Sequence, residues 1–393
     1  MTGATHRIDI DEGRPLIEQP EVGHNRWHEG IKPVIHARSG DRVVLQTRDA
    51  FDGQVTAHST ADEVAKLDLG PVHPLTGPVA IDGAEEGDLL EVRVVDIVPA
   101  SFGYTVQVPG FGFLADHFPD PHIVRWTIRD GVAESSDLPG VRIGYHAHPG
   151  VIGLAPGRSL RERIAKREAD LAARGGAVLG PDPRGAVPGD PEIAGHALRT
   201  IPPREVAGNI DIKQLNRGTS IYLPVSAPGA LFSVGDVHFA QGDSETCGTA
   251  IEMRSESTFE FHLHKGAAAS KGIRSFYLAR TGTDAPPYSI APGRFVAIPG
   301  MPIDHDGENH DRDATLAAKN ALLGMIDYIV REHGYTRQQA YAICSVAVDL
   351  KGSEKRGKIV IQYTSRQELD RLLGDRKSTR LNSVTPISRM PSS

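Results

Sequence analysis

The chain has 393 residues, a formal net charge of -7, and 39% hydrophobic and 24% charged residues, the make-up of an ordinary soluble globular protein with room for two domains or one large core. That balance lacks the basic footprint of a nucleic-acid binder, and no run approaches the ~18 apolar residues of a membrane span. Only two cysteines, Cys247 and Cys344, argue against a disulfide framework and fit a reducing cytoplasm, while 42 Gly and 28 Pro favour turn-rich β structure over a helical bundle.

The opening residues MTGATHRIDIDEG contain no apolar segment and do not read as a secretory signal. HNRWHEG (24–30) places His24, Trp27 and His28 together, as one wall of a polar pocket or as a packed entry strand. RVVLQT (42–47) follows the turn Ser39-Gly40-Asp41, and DLLEVRVVDIV (88–98) follows Glu86-Gly87; both predict strands. Short strands punctuated by Gly and Pro predict a β-sandwich or barrel-like region over 1–157. Asp49 and Asp52 fall just past a strand end, where carboxylates either cap turns or serve a site.

SLRERIAKREADLAAR (159–174) predicts a helix with Ser159 and Glu162 as a capping box, stopped by Gly175-Gly176. The Pro- and Gly-rich stretch 177–194 then reads as an exposed loop, so 158–195 is an insertion: a surface excursion, a lid or an oligomer contact. Residues 196–350 form a β-rich core ending in helices. Asp313 is the expected cap of a helix over 314–333, closed by Gly334, and Thr336 begins a second helix to about 342. The polar loop before Asp313 is either a capped surface loop or an anion site. The fold class is thus mixed, β-rich α+β, with a C-terminal α/β part.

The chemistry concentrates in 208–252. SIYLPV (220–225) and ALFSV (230–234) predict strands joined at Pro228-Gly229, the second continuing through Asp236 and His238. Residues two apart on a strand share a face, so Asp236 and His238 point the same way. Asp243 and Glu245 repeat that spacing in the following turn. One imidazole among carboxylates suits Zn²⁺ or a harder divalent ion, although Asp-Gly pairs are also plain turn chemistry and a strand histidine is often a core residue.

GNIDIKQLNRGTSIYLPV (208–225) and GDVHFAQGDSETCGTAIE (235–252) resemble the acetamidase/formamidase family. So do, in the family's order, residues 24–34, 47–54, 73–92, 110–118, 148–156 and 310–350. The resemblance implies a cytoplasmic enzyme, acting as a homo-oligomer without nucleic-acid or membrane partners, that hydrolyses short aliphatic amides to ammonia and a carboxylate. HNRWHEG and the insertion are closer to the formamidase branch and imply formamide over acetamide. On this reading His238 and Asp211 hold the metal, zinc first, with Asp236 or Asp243 as third ligand or orienter. Glu245 is the general base, then the acid to nitrogen, Asn209 with backbone N–H groups near Gly208 or Gly242 holds the oxyanion, and Asp49 serves the site. The alternative mechanism makes Cys247 the nucleophile, with Glu245 as base and Lys213 as electrostatic partner. A non-catalytic metal- or carbohydrate-binding sandwich is the reading from a different class.

After Leu350 the resemblance stops. Residues 351–376 resemble the strand-and-helix dimerisation unit of ParB-type partitioning proteins. KSTRLNSVTPISRMPSS (377–393) resembles translated adaptor or vector read-through, which implies a chimeric frame without function there; the alternative is a divergent native tail.

Overall fold

The computed structural model describes residues 3–176, 178–280, 295–298, 300–308, 310, 313–350 and 362–365. Its centre is a sheet of 15 strands, mostly antiparallel, with few helices. The strands that place the site are β1 (Arg42–Thr47), β2 (Leu75–Ile81), β3 (Leu89–Gln107), β4 (His148–Leu154), β5 (Ala207–Asn209), β6 (Phe232–His238) and β7 (Glu252–His264). β7 alternates buried and half-buried residues along most of its length, the pattern of a strand with one face on the core, and it pairs with both β1 and β3. β6 is buried throughout and lies between β4 and β2. Such two-sided burial needs neighbours on every side, which suits the small and apolar residues Phe232–Gly235 and leaves Asp236 and His238 as buried charges.

This topology does not separate 1–157 from 196–350. β7 pairs with β1 and β3, and β6 with β2 and β4, so both stretches weave one sheet around one large apolar cluster that includes Val43, Val92, Val234 and Phe259. The boundary read from the sequence runs through that sheet, because antiparallel pairing joins strands remote in sequence.

The three longest helices among the described residues are α1 (Arg158–Ala173), α2 (Ala314–His333) and α3 (Arg337–Ala347). Asp313 caps α2 through the Leu316 N–H, and Thr336 with Gln339 forms a capping box on α3. α3 runs beyond residue 342 because Ile343, Cys344, Ser345 and Val346 are all buried, and packing outweighs the modest helix propensity of those residues. α1 is not capped by Ser159; Gly157 occupies the N-cap, and Ser159 Oγ accepts from Arg163 instead.

The stretch after α1 is less exposed than its composition suggests. Ala186 and Val187 are buried, and the Gly185 carbonyl accepts from Asn25 Nδ2 at 2.7 Å. Arg26, fully buried, donates to the carbonyls of Asp182 and Arg184. The HNRWHEG segment is therefore packed: His24 meets Ser233 Oγ at 2.7 Å, and Trp27 lies among Leu75, Val151, Ile164 and Leu198.

Among the described residues no helix is long and apolar enough to cross a membrane. Gln362–Ser365 forms a strand paired with Phe295–Ile298 and Asp349–Leu350. The rest of 351–376 and all of 377–393, where partition-type and read-through sequences were expected, lie outside the described residues.

Candidate active site

The register at the end of β6 assembles the site. His238 stands opposite His148 on β4 and opposite Glu252 on β7, while Leu75, two residues past His73, pairs with Gly235. Asp211 follows β5, with its N–H directed at the Gly150 carbonyl at 3.3 Å. Strands from several parts of the chain thus bring Asp211, Asp236, Glu252 and the imidazoles of His73, His148 and His238 together.

His238 Nε2 lies 3.3 Å from Glu252 Oε2, 3.4 Å from Asp236 Oδ1 and 3.9 Å from Glu245 Oε1. Potential ligand atoms of Asp211, His238 and Glu245, and of Asp236, His238 and Glu252, fall within 4.8 Å of one another. His73 Nε2 approaches Asp236 Oδ2 at 3.7 Å. Asp211, Asp236 and Glu245 all have left-handed backbones, at φ 46°, 51° and 41°. L-residues adopt that region at a cost of order 1–3 kcal/mol, which the surrounding structure must offset. Gly150 leaves the room: a Cβ there would lie 2.7 Å from Asp211 Oδ1, from the Asp236 carbonyl and from His238 Cε1.

Four buried atoms in this cluster have no hydrogen-bond partner: Asp211 Oδ1, Asp236 Oδ1, His238 Nε2 and Glu252 Oε2. Burying one ionised carboxylate costs roughly several kcal/mol even after relaxation, and a single imidazolium does not offset four. Burial pushes Asp211 up to about 7 and Glu252 to about 8. Burial, then the charge of Asp211, raises Glu245 well above the carboxylate range. Asp236 stays ionised: burial opposes this, but the imidazoles of His73 and His238 outweigh it. His238 is pulled the other way, burial lowering it and the charges of Glu252 and Asp236 raising it further. Unpartnered oxygens and one nitrogen converging in a buried, electron-rich place fit a divalent cation.

Gln241 orients the imidazole. Its Nε2 donates to the Asp211 carbonyl at 2.8 Å, so its Oε1 is the end facing His238 Nδ1 at 2.8 Å and His148 Nε2 at 3.1 Å. The Nδ1–H of His238 therefore points to Gln241, and Nε2 turns toward the acids. Burial holds His148 down to about 3, hence neutral, with one N–H for either Gln241 or the His146 carbonyl.

The cluster forms the floor of a cavity of about 330 Å³, open past Phe51, Val72, Val108, Phe111, Phe113 and Ile201. Behind it, α3 holds the loop carrying Glu245. Ser345 Oγ accepts from the Cys247 N–H at 3.0 Å, the Ser345 carbonyl accepts from the Gly242 N–H at 2.8 Å, and Tyr341 OH donates to the Thr246 carbonyl.

Of the residues singled out in the sequence, Asp211, Asp236, His238 and Glu245 meet here, and Asn209 lines the cavity with Nδ2 donating to the Ile201 carbonyl at 3.0 Å. Asp243 does not join them: Ser244 and Glu245 have positive φ, strand alternation fails, and Asp243 turns to Lys213 at 3.3 Å. Lys213 also pairs with Asp349, away from the cluster. Asp49 accepts from Tyr104 OH at 2.6 Å and from the Phe51 and Gly53 N–H groups, as a turn cap outside the cavity lining. Cys247 faces the Val106 and Thr249 carbonyls, and burial pushes its thiol up to about 11, which disfavours a thiolate nucleophile. The Gly242 N–H, already engaged with Ser345, has no bond left for an oxyanion. His24, Trp27 and His28 are absent from the lining. Sequence reading missed Glu252, His73 and Gln241; Glu252 ends the most informative stretch, but only strand pairing sets it against His238.

The sequence profile described as the Acetamidase/Formamidase family matches residues 9–356. The chain is 34% identical over 391 residues to an acetamidase of Mycolicibacterium smegmatis, covering 93% of each chain. It is 32% identical over 360 residues to a formamidase of Methylophilus methylotrophus, covering 87% of this chain and 86% of that one. A solved gamma lactamase from Delftia acidovorans superposes with a TM-score of 0.84 at 32% identity, covering 91% of each chain. The chain belongs to the acetamidase/formamidase family of amide hydrolases.

Proposed function

We propose that the chain hydrolyses the C–N bond of a linear primary amide to ammonia and a carboxylate, with a divalent cation, zinc foremost, held by His238, Asp236, Glu252 and Asp211. The observation that carries this reading is the set of buried, unpartnered ligand atoms around His238: Asp236 and Glu252 offer atoms within 4.8 Å of it and of one another, and Asp211 and Glu245 form a second such group with the same imidazole. Such an ion supplies a more acidic water and a polarised amide oxygen.

The chain's own groups do the rest. Glu245 lines the cavity, and its raised affinity for a proton suits it to accept one from water and deliver it to the leaving nitrogen. Gln241 Oε1 accepts from His238 Nδ1–H, which leaves Nε2 as the nitrogen turned to the ion. His73 lines the cavity beside Asp236, and its imidazole helps to hold that carboxylate ionised. The enclosing apolar wall limits water around the charges, which strengthens each of these interactions.

Glu245→Gln tests the assignment. Its expected effect is a fall in kcat of about 10²–10⁴-fold with metal content unchanged. Full activity in this variant would remove Glu245 from the reaction.

A further inference from the structure

The cavity has two chemically distinct ends. Asp211, Asp236, Glu245 and Glu252 form the floor, and aromatic and branched aliphatic side chains form the wall. A volume of about 330 Å³, at ~30 Å³ for each water-sized group, accommodates roughly ten heavy atoms. Formamide or acetamide would fill about a third of it. Beyond a bound amide group, most of what remains to be contacted is apolar.

That wall is built into the backbone. Phe111 lies between Gly110 and Gly112, whose φ angles of 78° and 92° belong to the left-handed region that glycine adopts without strain. Its ring rests on Gly248, where a Cβ would lie 2.6 Å from Phe111 Cδ1, and a Cβ on Gly112 would lie 2.7 Å from the Cys247 carbonyl. The Phe111 N–H is tied to the Val108 carbonyl at 3.0 Å and the Phe113 N–H to the Thr246 carbonyl at 2.9 Å. Phe111 nevertheless remains 46% exposed, and Leu69, also in the lining, 38%. Large apolar groups fixed in place but left in water at the rim of a cavity are surface that a ligand can cover.

We infer that the preferred substrate is a primary amide whose acyl carbon bears an apolar group of about four to seven carbons, filling the volume left by the amide. The inference rests on the amide-hydrolase reading above. The reaction is balanced by water alone: a C–O bond forms from water, the C–N bond breaks, nitrogen leaves as ammonia and the fatty carboxylate is released. The packed HNRWHEG segment, from which a formamide preference was read, makes no contact with this volume.

Ammonia release from formamide, acetamide, butyramide, hexanamide and decanamide by the full chain tests it. The expected kcat/KM rises about two- to fourfold per methylene through hexanamide, as buried CH₂ groups would give, and falls for decanamide. Phe111→Ala, a change at an exposed position, should lower the hexanamide-to-acetamide ratio about three- to tenfold. A maximum at formamide or acetamide, or a ratio unmoved by Phe111→Ala, overturns the inference while leaving the hydrolase reading intact. Absence of ammonia from every amide overturns both.

Discussion

Gln241 and His238 form a fixed pair: Oε1 of the amide lies 2.8 Å from Nδ1 of the imidazole, and Nε2 of the same amide is anchored on the Asp211 carbonyl. One side chain therefore sets the tautomer of a histidine and ties it to the backbone of a neighbouring acid. Replacing the amide by a hydrocarbon of similar bulk separates orientation from packing. Gln241→Leu is expected to weaken zinc binding about 10–100-fold, as loss of an outer-shell partner does, with a stability cost of about 1–3 kcal/mol for the two groups left unsatisfied. Calorimetric zinc titration and urea unfolding read the two effects separately.

Gly150 offers a sharper steric test. An added methyl must displace Asp211 Oδ1, His238 Cε1 or the Asp236 carbonyl, each 2.7 Å away. The backbone φ there is not positive, so the effect is one of space rather than conformation. Gly150→Ala should abolish metal binding and lower amide turnover more than about 100-fold, the scale on which a shift of about 1 Å acts. Far-ultraviolet circular dichroism should stay native.

Cys247 is expected to be dispensable for chemistry. Its thiol is buried among carbonyls and held up to about 11. Cys247→Ala should leave kcat/KM within about threefold and cost about 1 kcal/mol of stability, the common size of a small packing change. A loss of several orders of magnitude in ammonia release, with the fold intact, would restore the thiol mechanism.

The acid limit of stability should trace to buried histidines. Burial lowers His24 and His146 to about 4, from 6.5 in an unfolded chain. The unfolded state thus binds more protons between those values, so the stability they support is complete above pH ~6.5 and declines as pH falls toward 4. Each contributes a slope of up to about 1.4 kcal/mol per pH unit in that window. Urea unfolding at pH 7, 5.5 and 4.5 should show this decline, and His24→Asn should reduce the slope by about one proton.

The legible parts of the chain are those set by local chemistry. Arg42–Thr47 is read as a strand from its alternation, and Asp313 and Thr336 as caps from side chains that bond the helix they precede. Asp236 and His238 are grouped because neighbours on one strand need only each other. Glu252 and His73 are invisible at that level, since each meets His238 or Asp236 only after separate segments pair, and Gln241, three residues from His238, is fixed on it by the remote Asp211 carbonyl. Asp243 illustrates the converse. Its spacing from Glu245 matches a strand, but two consecutive left-handed residues, Ser244 and Glu245, turn the backbone and send Asp243 to Lys213. The sheet joins 1–157 to 196–350 for the same reason as Glu252 is missed: β7 draws partners from both stretches.

The central claim is that the buried acids around His238 hold a divalent ion required for amide hydrolysis. The most direct measurement is metal content and ammonia release on the same purified sample, before chelation, after it, and after zinc is restored. The account predicts about one divalent ion per chain, held at the buried ligand atoms around His238, with activity lost on its removal and regained on its return. Undiminished ammonia release from a folded, metal-free chain would contradict it.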